Sequence, residues 1–570
     1  MQRFCNAFHA LQHGKATYLC GMKRIRTLIF AALFCCGAAA QTQLPERAVY
    51  EQYFSSFVFS PAQDWETVTV GDMEYMVYDN GMVFVKGCSP KARPKDLVIP
   101  SGIIHNGKPY QVTAIGMWAF IDCKSLKTVV ISDGIRLIGY GAFNVCTNLE
   151  SVTIPKSVKY VDCSFMKCKK CTAVKDGITY LGNILLSADT TLSRCVIEEG
   201  TRIIADGAFS HCRSLTSVCI PKSVKSIGRE AFNECSRLES VEIPEGVEYI
   251  DGYTFSNCTE LKSVVLPASL KYIADYAFMA CNSLETVSFP SNGIWIEKDA
   301  FDKGIMLPSE DGIRYGGTML IEVVDRNRTS YTIKEGTTRI GRDAFADCKA
   351  MTSIVIPESV TGIEDYAFRE CTALQSVIIP EGVTEIGYGA FAGNTRMKSA
   401  VIPDSLTWVG AKAFENCNID TVIDHVRYIG NIVVGVDDNS LSEYHIKSDA
   451  RIIAGDAFQF CDRMTSITLP DGIVSIGDGA FSGCSSLETI NIPEGVTVFG
   501  EMAFSNCISL KSMELPASLT QIGTCCFLNC NKLKHSLKVP DTITDMDRTY
   551  LFKQGKHHWR LRRFLARFGF

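Results

Sequence analysis

Cysteine recurs along this chain at a fixed interval. From Cys123 to Cys530 it stands three residues after a phenylalanine fourteen times, and Gly304 and Asn394 take its place twice. Thiols can bridge, hold a metal or attack as nucleophiles, and the spacing weighs against each of these. Of 25 cysteines four precede residue 41, which leaves an odd 21, so pairing cannot be complete. One cysteine per period at one position sets the Cβ vectors parallel, and a disulfide torsion is then hard to reach. A row of single ligands is not a tetrahedron. Cys168-Lys169-Lys170-Cys171 is a lone C-x-x-C without the βαβ context of a redox motif; with Cys163 and Cys195 nearby, a local bridge stays open. The column reads as buried thiols that fill space as small apolar groups.

The other chemical signals are weaker. Gly139-Tyr140-Gly141, Gly387-Tyr388-Gly389 and Gly477-Asp478-Gly479 begin like a dinucleotide fingerprint. They lack its third glycine and recur with the period, which makes them corners and not phosphate cradles. Asp437-Asp438 lacks the spacing of a calcium loop and reads as a turn. The nine histidines are scattered, and no metalloprotease, P-loop or nucleophile-elbow motif occurs. The expectation is a protein that is not an enzyme and uses no cofactor or metal. A formal charge of −5 argues against nucleic acid as a partner.

The elements behind these signals repeat about every 23 residues. The phenylalanines run Phe120, Phe143, Phe165, Phe209, Phe232, Phe255, Phe278, Phe301, Phe345, Phe368, Phe391, Phe414, Phe458, Phe481, Phe504 and Phe527. One copy reads Ile243, Pro244, Val247, Ile250, Phe255, Cys258, Leu261, Val264. Such a period means stacked coils, each too small for its own core. The Leu, Val and Ile before the proline alternate inward from a short strand, and the proline ends its ladder. Glycine four residues before the phenylalanine, as at Gly139, marks a corner that wants either positive φ or close backbone. Three steps of 44 hold irregular coils near 171–200, 305–335 and 419–448, alike in Tyr180, Tyr315 and Tyr428, which read as hairpins set into the array.

The phrase L-x-x-V-x-I-P-x-x-V-x-x-I-G-x-x-A-F-x-x-C resembles the BspA-type (Treponema-type) leucine-rich repeat of bacterial surface proteins. The resemblance covers about Asp96 to Leu533. It implies a leucine-rich-repeat solenoid, β-rich, elongated and curved. It also implies an adhesin-like role toward host matrix proteins or other bacteria, and it brings no catalytic residues.

Four segments follow. Residues 1–40 hold an N-terminal extension and a secretory signal, with Lys23-Arg24-Ile25-Arg26, an apolar run and Gly37-Ala38-Ala39-Ala40. The 21 residues before Met22 do not fit that signal, and Met22 is the expected start. Residues 41–94 form an N-terminal β cap, with strands at Thr67–Gly71 and Met82–Val85 and with Tyr75 echoing the hairpin coils. Residues 95–535 form the solenoid, with no membrane span expected. Residues 536–570 hold a C-terminal cap and a basic tail, whose Leu561, Phe564, Leu565 and Phe568 set an amphipathic helix; it serves as a cap or as a contact to a membrane surface or partner.

The free face then carries function. One outward strand column is all hydroxyl, from Thr128 to Ser512, and reads as a ladder across rungs. The neighbouring column varies and sets Val355, Ile378 and Val401 on consecutive coils. That apolar stripe is the candidate ligand-binding site, against ordinary β-propensity as the plainer account. The expectation is a secreted or bacterial cell-surface protein, or one associated with the outer membrane, that binds a protein or glycan. A structural spacer and a polysaccharide-capture accessory remain alternatives. Trp118, Trp295 and Trp408 look isolated in the repeat frame, which counts against glycan platforms.

Overall fold

The computed structural model describes residues 65–540 and 543, apart from 79–82, 90–91, 291–293, 298, 302–308, 524 and 534–536. The expected signal, the first part of the cap and the basic tail lie outside the described residues. What is described is a β-solenoid without α-helix. Each coil has two short strands, such as Ser240–Glu242 and Tyr249–Ile250. Most pair in parallel with their copies in the next coil, Val241 with Val264 and Ile250 with Ile273. Val241 and Val264 point inward and are buried, as the alternation requires. The proline after the first strand turns the chain, and its carbonyl accepts the N–H three residues on, as Pro244 does from Val247.

A third ladder runs behind the phenylalanines. The Phe255 N–H donates to Ala277 and the Phe368 N–H to Ala390, each in the following coil. The rings stack almost parallel, with centroids 5.3 Å apart for Phe232 and Phe255 and 5.0 Å for Phe345 and Phe368. The cysteines are more than filler. In ten coils the thiol donates to the carbonyl of the phenylalanine 25 or 26 residues back, at 3.0–3.3 Å. That carbonyl is buried in the core, where an unpaired acceptor is costly. Asn394 stands in one such place, and its amide donates to Phe368 O at 3.0 Å.

The corner glycines answer the choice between conformation and crowding. Gly139 has ordinary φ, and a Cβ there would lie 2.9 Å from Ile115 O. Positive φ falls instead two residues before and two after the phenylalanine, as at Tyr253 (59°) and Asn257 (60°) around Phe255. In the hydroxyl column Thr128 donates to Asp96 on the preceding rung at 2.6 Å. Thr216, Thr352 and Thr465, one residue before that column, add bonds to main-chain carbonyls of the preceding coil.

The array divides into four units, each with its own hydrophobic core, starting near Val68, Ile178, Ile313 and Val426. Each opens with the same module. In the first, β1 (Trp65–Val70), β2 (Met73–Tyr78) and β3 (Val83–Cys88) form an antiparallel meander. Its third strand pairs in parallel with the next coil, Val85 with Ile115. Ala173–Lys175, Ile178–Leu181 and Ile184–Ala188 repeat this, as do the strands around Tyr315 and Tyr428. The register shifts immediately before Tyr75, Tyr180, Tyr315 and Tyr428 alike. The later hairpins turn through two residues of positive φ, such as Asp176-Gly177 and Asp311-Gly312, the tight turn that suits strand twist.

On the second-strand side the module's third strand pairs with the next coil, Ile184 with Ile203 and Ile432 with Ile452, and the coil before the module reaches that coil too. Asp206 N–H donates to Val161 O at 3.2 Å and Gly455 N–H to Val409 O at 3.2 Å, each joining the coils that flank a hairpin. Arg202 reaches Lys156 O across the same seam at 2.6 Å.

Candidate binding surface

The three predicted site residues lie where the frame puts them. Val355, Ile378 and Val401 are 58%, 68% and 56% exposed, on strands Ser353–Val355, Ser376–Ile378 and Ser399–Val401. Ile378 pairs with Val401, and Thr332 pairs with Val355. β-branched side chains here satisfy strand geometry whether or not anything covers them. Alternation forces them outward because Ile354, Val377 and Ala400 between them face the core. Exposed apolar residues also lie outside the stripe. Val422 and Ile423 are exposed on the strand of the next coil, and Val98, Val130 and Val196 are exposed on first strands of earlier units. The 23-residue frame hid Ile423 and Val196 because both sit in irregular coils. Aligning those coils on their tyrosines would have revealed them.

The second-strand side is polar and aromatic. Tyr249, Tyr272 and Trp295 stand in register on three adjacent strands, and Tyr253 stacks on Tyr276 at 5.1 Å. Trp118 meets Tyr140 edge to face. Trp295 and Trp118 are therefore not isolated; their neighbours are tyrosines, which a search for tryptophan alone overlooks. At the seam before the third unit, Arg339 lies 4.9 Å over Trp295 and 2.6 Å from Glu364, and it also pairs with Glu385. Trp295 Nε1 and Tyr272 Oη donate to Glu297 at 3.1 and 2.8 Å.

Carboxylates on this side carry altered proton affinity. Burial raises Glu364 to about 7, and the single guanidinium it shares with Glu385 does not offset that. Asp365 rises to about 6 and Asp275 to about 6, burial being the main cause in both. Asp478 rises to about 7 through burial, then through Glu501. Its Oδ1 accepts the Glu501 N–H at 2.7 Å and so clamps one coil to the next. A carboxyl with a raised folded-state value favours folding at low pH and loses that contribution as pH rises through about 7. Asp478→Asn keeps the acceptor and removes the charge. It is expected to stabilise the chain by about 2 kcal/mol at pH 8, after discounting for partial exposure, and by little at pH 4. Chaotrope unfolding at the two pH values checks this, and equal effects at both would exclude it.

Among the described residues no group of His, Cys, Asp or Glu is arranged to hold a metal. Asp438 Oδ1, the calcium candidate's oxygen, takes the N–H and hydroxyl of Ser440 at 2.8 and 2.6 Å and closes a turn. No helix of the described residues is long and apolar enough to cross a membrane.

Short parallel strands, an inward Leu-Val-Ile face and a period of 23 residues define a leucine-rich-repeat protein. The model of the BspA type leucine rich repeat region matches residues 107–187, 179–307, 325–433 and 437–557, and the chain belongs to that family. Among solved structures it is similar to a leucine-rich repeat protein from Bacteroides ovatus, at 24% identity over 85% of this chain and 99% of that one, with a TM-score of 0.21. It is similar also to a leucine rich cell surface protein from Faecalibacterium prausnitzii, at 25% identity over 76% and 95%, with a TM-score of 0.24. The pneumococcal vaccine antigen PcpA matches at 16% identity over 84% and 98%, with a TM-score of 0.18. No curated protein matches.

Proposed function

We propose that the chain is an adhesin-like binding protein, exported to the bacterial surface or outer membrane, and not an enzyme. Its first-strand sheet engages a protein ligand. The observation that carries this is the run of exposed apolar side chains at Val355, Ile378 and Val401 on a sheet whose flanking column is hydroxyl. Three rungs at roughly 4.8 Å spacing make a stripe only about 10 Å long, so it acts as a hot spot inside a wider interface. The family supports the class of role and leaves the ligand open.

The test is a triple change of Val355, Ile378 and Val401 to Lys in the full chain, screened on an array of matrix proteins and glycans. Binding to the protein ligand that wild type selects is expected to vanish, with little change in unfolding midpoint because the sites face water. Unchanged affinity in the folded variant would remove the stripe from the site. Polysaccharide capture is a second reading, favoured by the aromatic row of Tyr249, Tyr272 and Trp295. It predicts that the array selects glycans, and that Tyr249→Ala and not the lysine variant abolishes capture.

A further inference from the structure

The thiol ladder starts afresh in each unit, and its first cysteine has no preceding phenylalanine carbonyl to bind. In the second unit that thiol, Cys212, donates to Asp189 O at 3.7 Å, in the third Cys348 meets the next ladder thiol, Cys371, and the Tyr331 hydroxyl, and in the fourth Cys461 meets the Tyr444 hydroxyl. In the first unit the partner is a cysteine from outside the ladder: Cys123 shares a side-chain hydrogen bond with Cys88.

We propose that Cys88 and Cys123 are a disulfide site that ties the first antiparallel module to the first regular coil, while the other ladder cysteines stay thiols. Cys88 ends β3 and lies outside the repeat column, so the parallel Cβ vectors that oppose bridging along the ladder do not apply to it. The backbones meet here. Gly116 N–H donates to Val85 O at 2.8 Å, and a Cβ on Gly87 would stand 2.2 Å from Ala119 O. Both thiols are half-buried and open to an oxidant, whereas ladder cysteines such as Cys258 and Cys371 are fully buried. The C-x-x-C pair also shares a thiol contact but differs, because Cys168 is a ladder thiol that donates to Phe143 O at 3.0 Å and Cys171 donates to Cys168 O at 3.3 Å. The Cys123 thiol is lowered by Cys88 and by the Arg93 charge, which favours its thiolate as the attacking group.

The oxidant is a disulfide of the glutathione class or of a protein dithiol carrier. Cys123 thiolate attacks one donor sulfur and expels a thiolate. Cys88, deprotonated, then attacks the mixed disulfide at Cys123 and expels the second donor thiol. The pair loses two electrons and two protons, and the donor disulfide gains them. Formation in the cell rests on the export proposed above; the pairing of the two sulfurs does not.

The experiment equilibrates the full chain in glutathione buffers of graded ratio, alkylates it and maps peptides without reduction. The expected result is a Cys88–Cys123 linked peptide that appears in oxidising buffer, vanishes in reducing buffer and raises the unfolding midpoint of the first unit. The other ladder cysteines should react only after denaturation. In Cys88→Ser, Cys123 should become alkylatable in the native chain with no new link. Recovery of both residues as free thiols in excess oxidised glutathione overturns the proposal, as does equal linkage of Cys123 to a ladder cysteine. If Cys88→Ser fails to fold, the wild-type titration decides. A pair that links in buffer but is recovered reduced from exported protein upholds the site and overturns the export reading.

Discussion

Phe255→Ala and Phe368→Ala are each expected to lower stability by about 3–5 kcal/mol, as truncation of core aromatics does. Both rings are fully buried between the rings of neighbouring coils, Phe255 at 5.3 Å from Phe232 and 5.3 Å from Phe278. Loss of one ring opens a cavity that two stacked neighbours line, and neither coil can close it without sliding along the array. The cost falls on one unit, because ring contacts run between adjacent coils. Chaotrope unfolding followed by a probe in the affected unit measures it. A shift below about 1 kcal/mol would contradict the inward assignment of the column.

Gly500→Ala should be nearly as damaging for the opposite reason. A Cβ there would lie 2.4 Å from Asp478 N, 2.5 Å from Asp478 Oδ1 and 2.5 Å from Gly477 C. Two of these are main-chain atoms, so no rotamer relieves the overlap and the rungs must part. The expected loss is at or beyond the top of the roughly 1–3 kcal/mol range for overpacking. Gly207→Ala makes the comparison, because its φ is positive at 63° but its nearest neighbour is Ser210 Cβ at 3.8 Å. If the two cost the same, crowding between coils is not what holds glycine at the Gly500 corner.

The fold was legible because one period carries all of it. Val241, Phe255 and Cys258 each recur at fixed offsets, and alternation alone tells which point inward. The stripe was legible for the same reason, since Ile378 follows from its place beside Val377. What escaped were relations between coils. That Asp206 Oδ1 accepts the Arg229 N–H at 3.0 Å, and lies where a Cβ on Gly228 would go, joins residues one period apart, which a single copy of the motif does not display. The same holds for Arg339, which bridges Glu364 and Glu385 across coils. The Cys88 contact was hidden because only one of its partners belongs to the repeat.

The antiparallel modules bear on how such a chain reaches its native state. A parallel rung forms only after a loop of some twenty residues closes, whereas the hairpins at Asp176-Gly177 and Asp311-Gly312 close over two residues. Local closure is fast, and non-local pairing waits for it. Each module thus offers a nucleus whose last strand presents an open edge for the next coil, as Leu185 does for Ile204. A chain emerging from the ribosome can complete one unit before the next is made, and a stalled coil is confined between two nuclei instead of spreading along the stack.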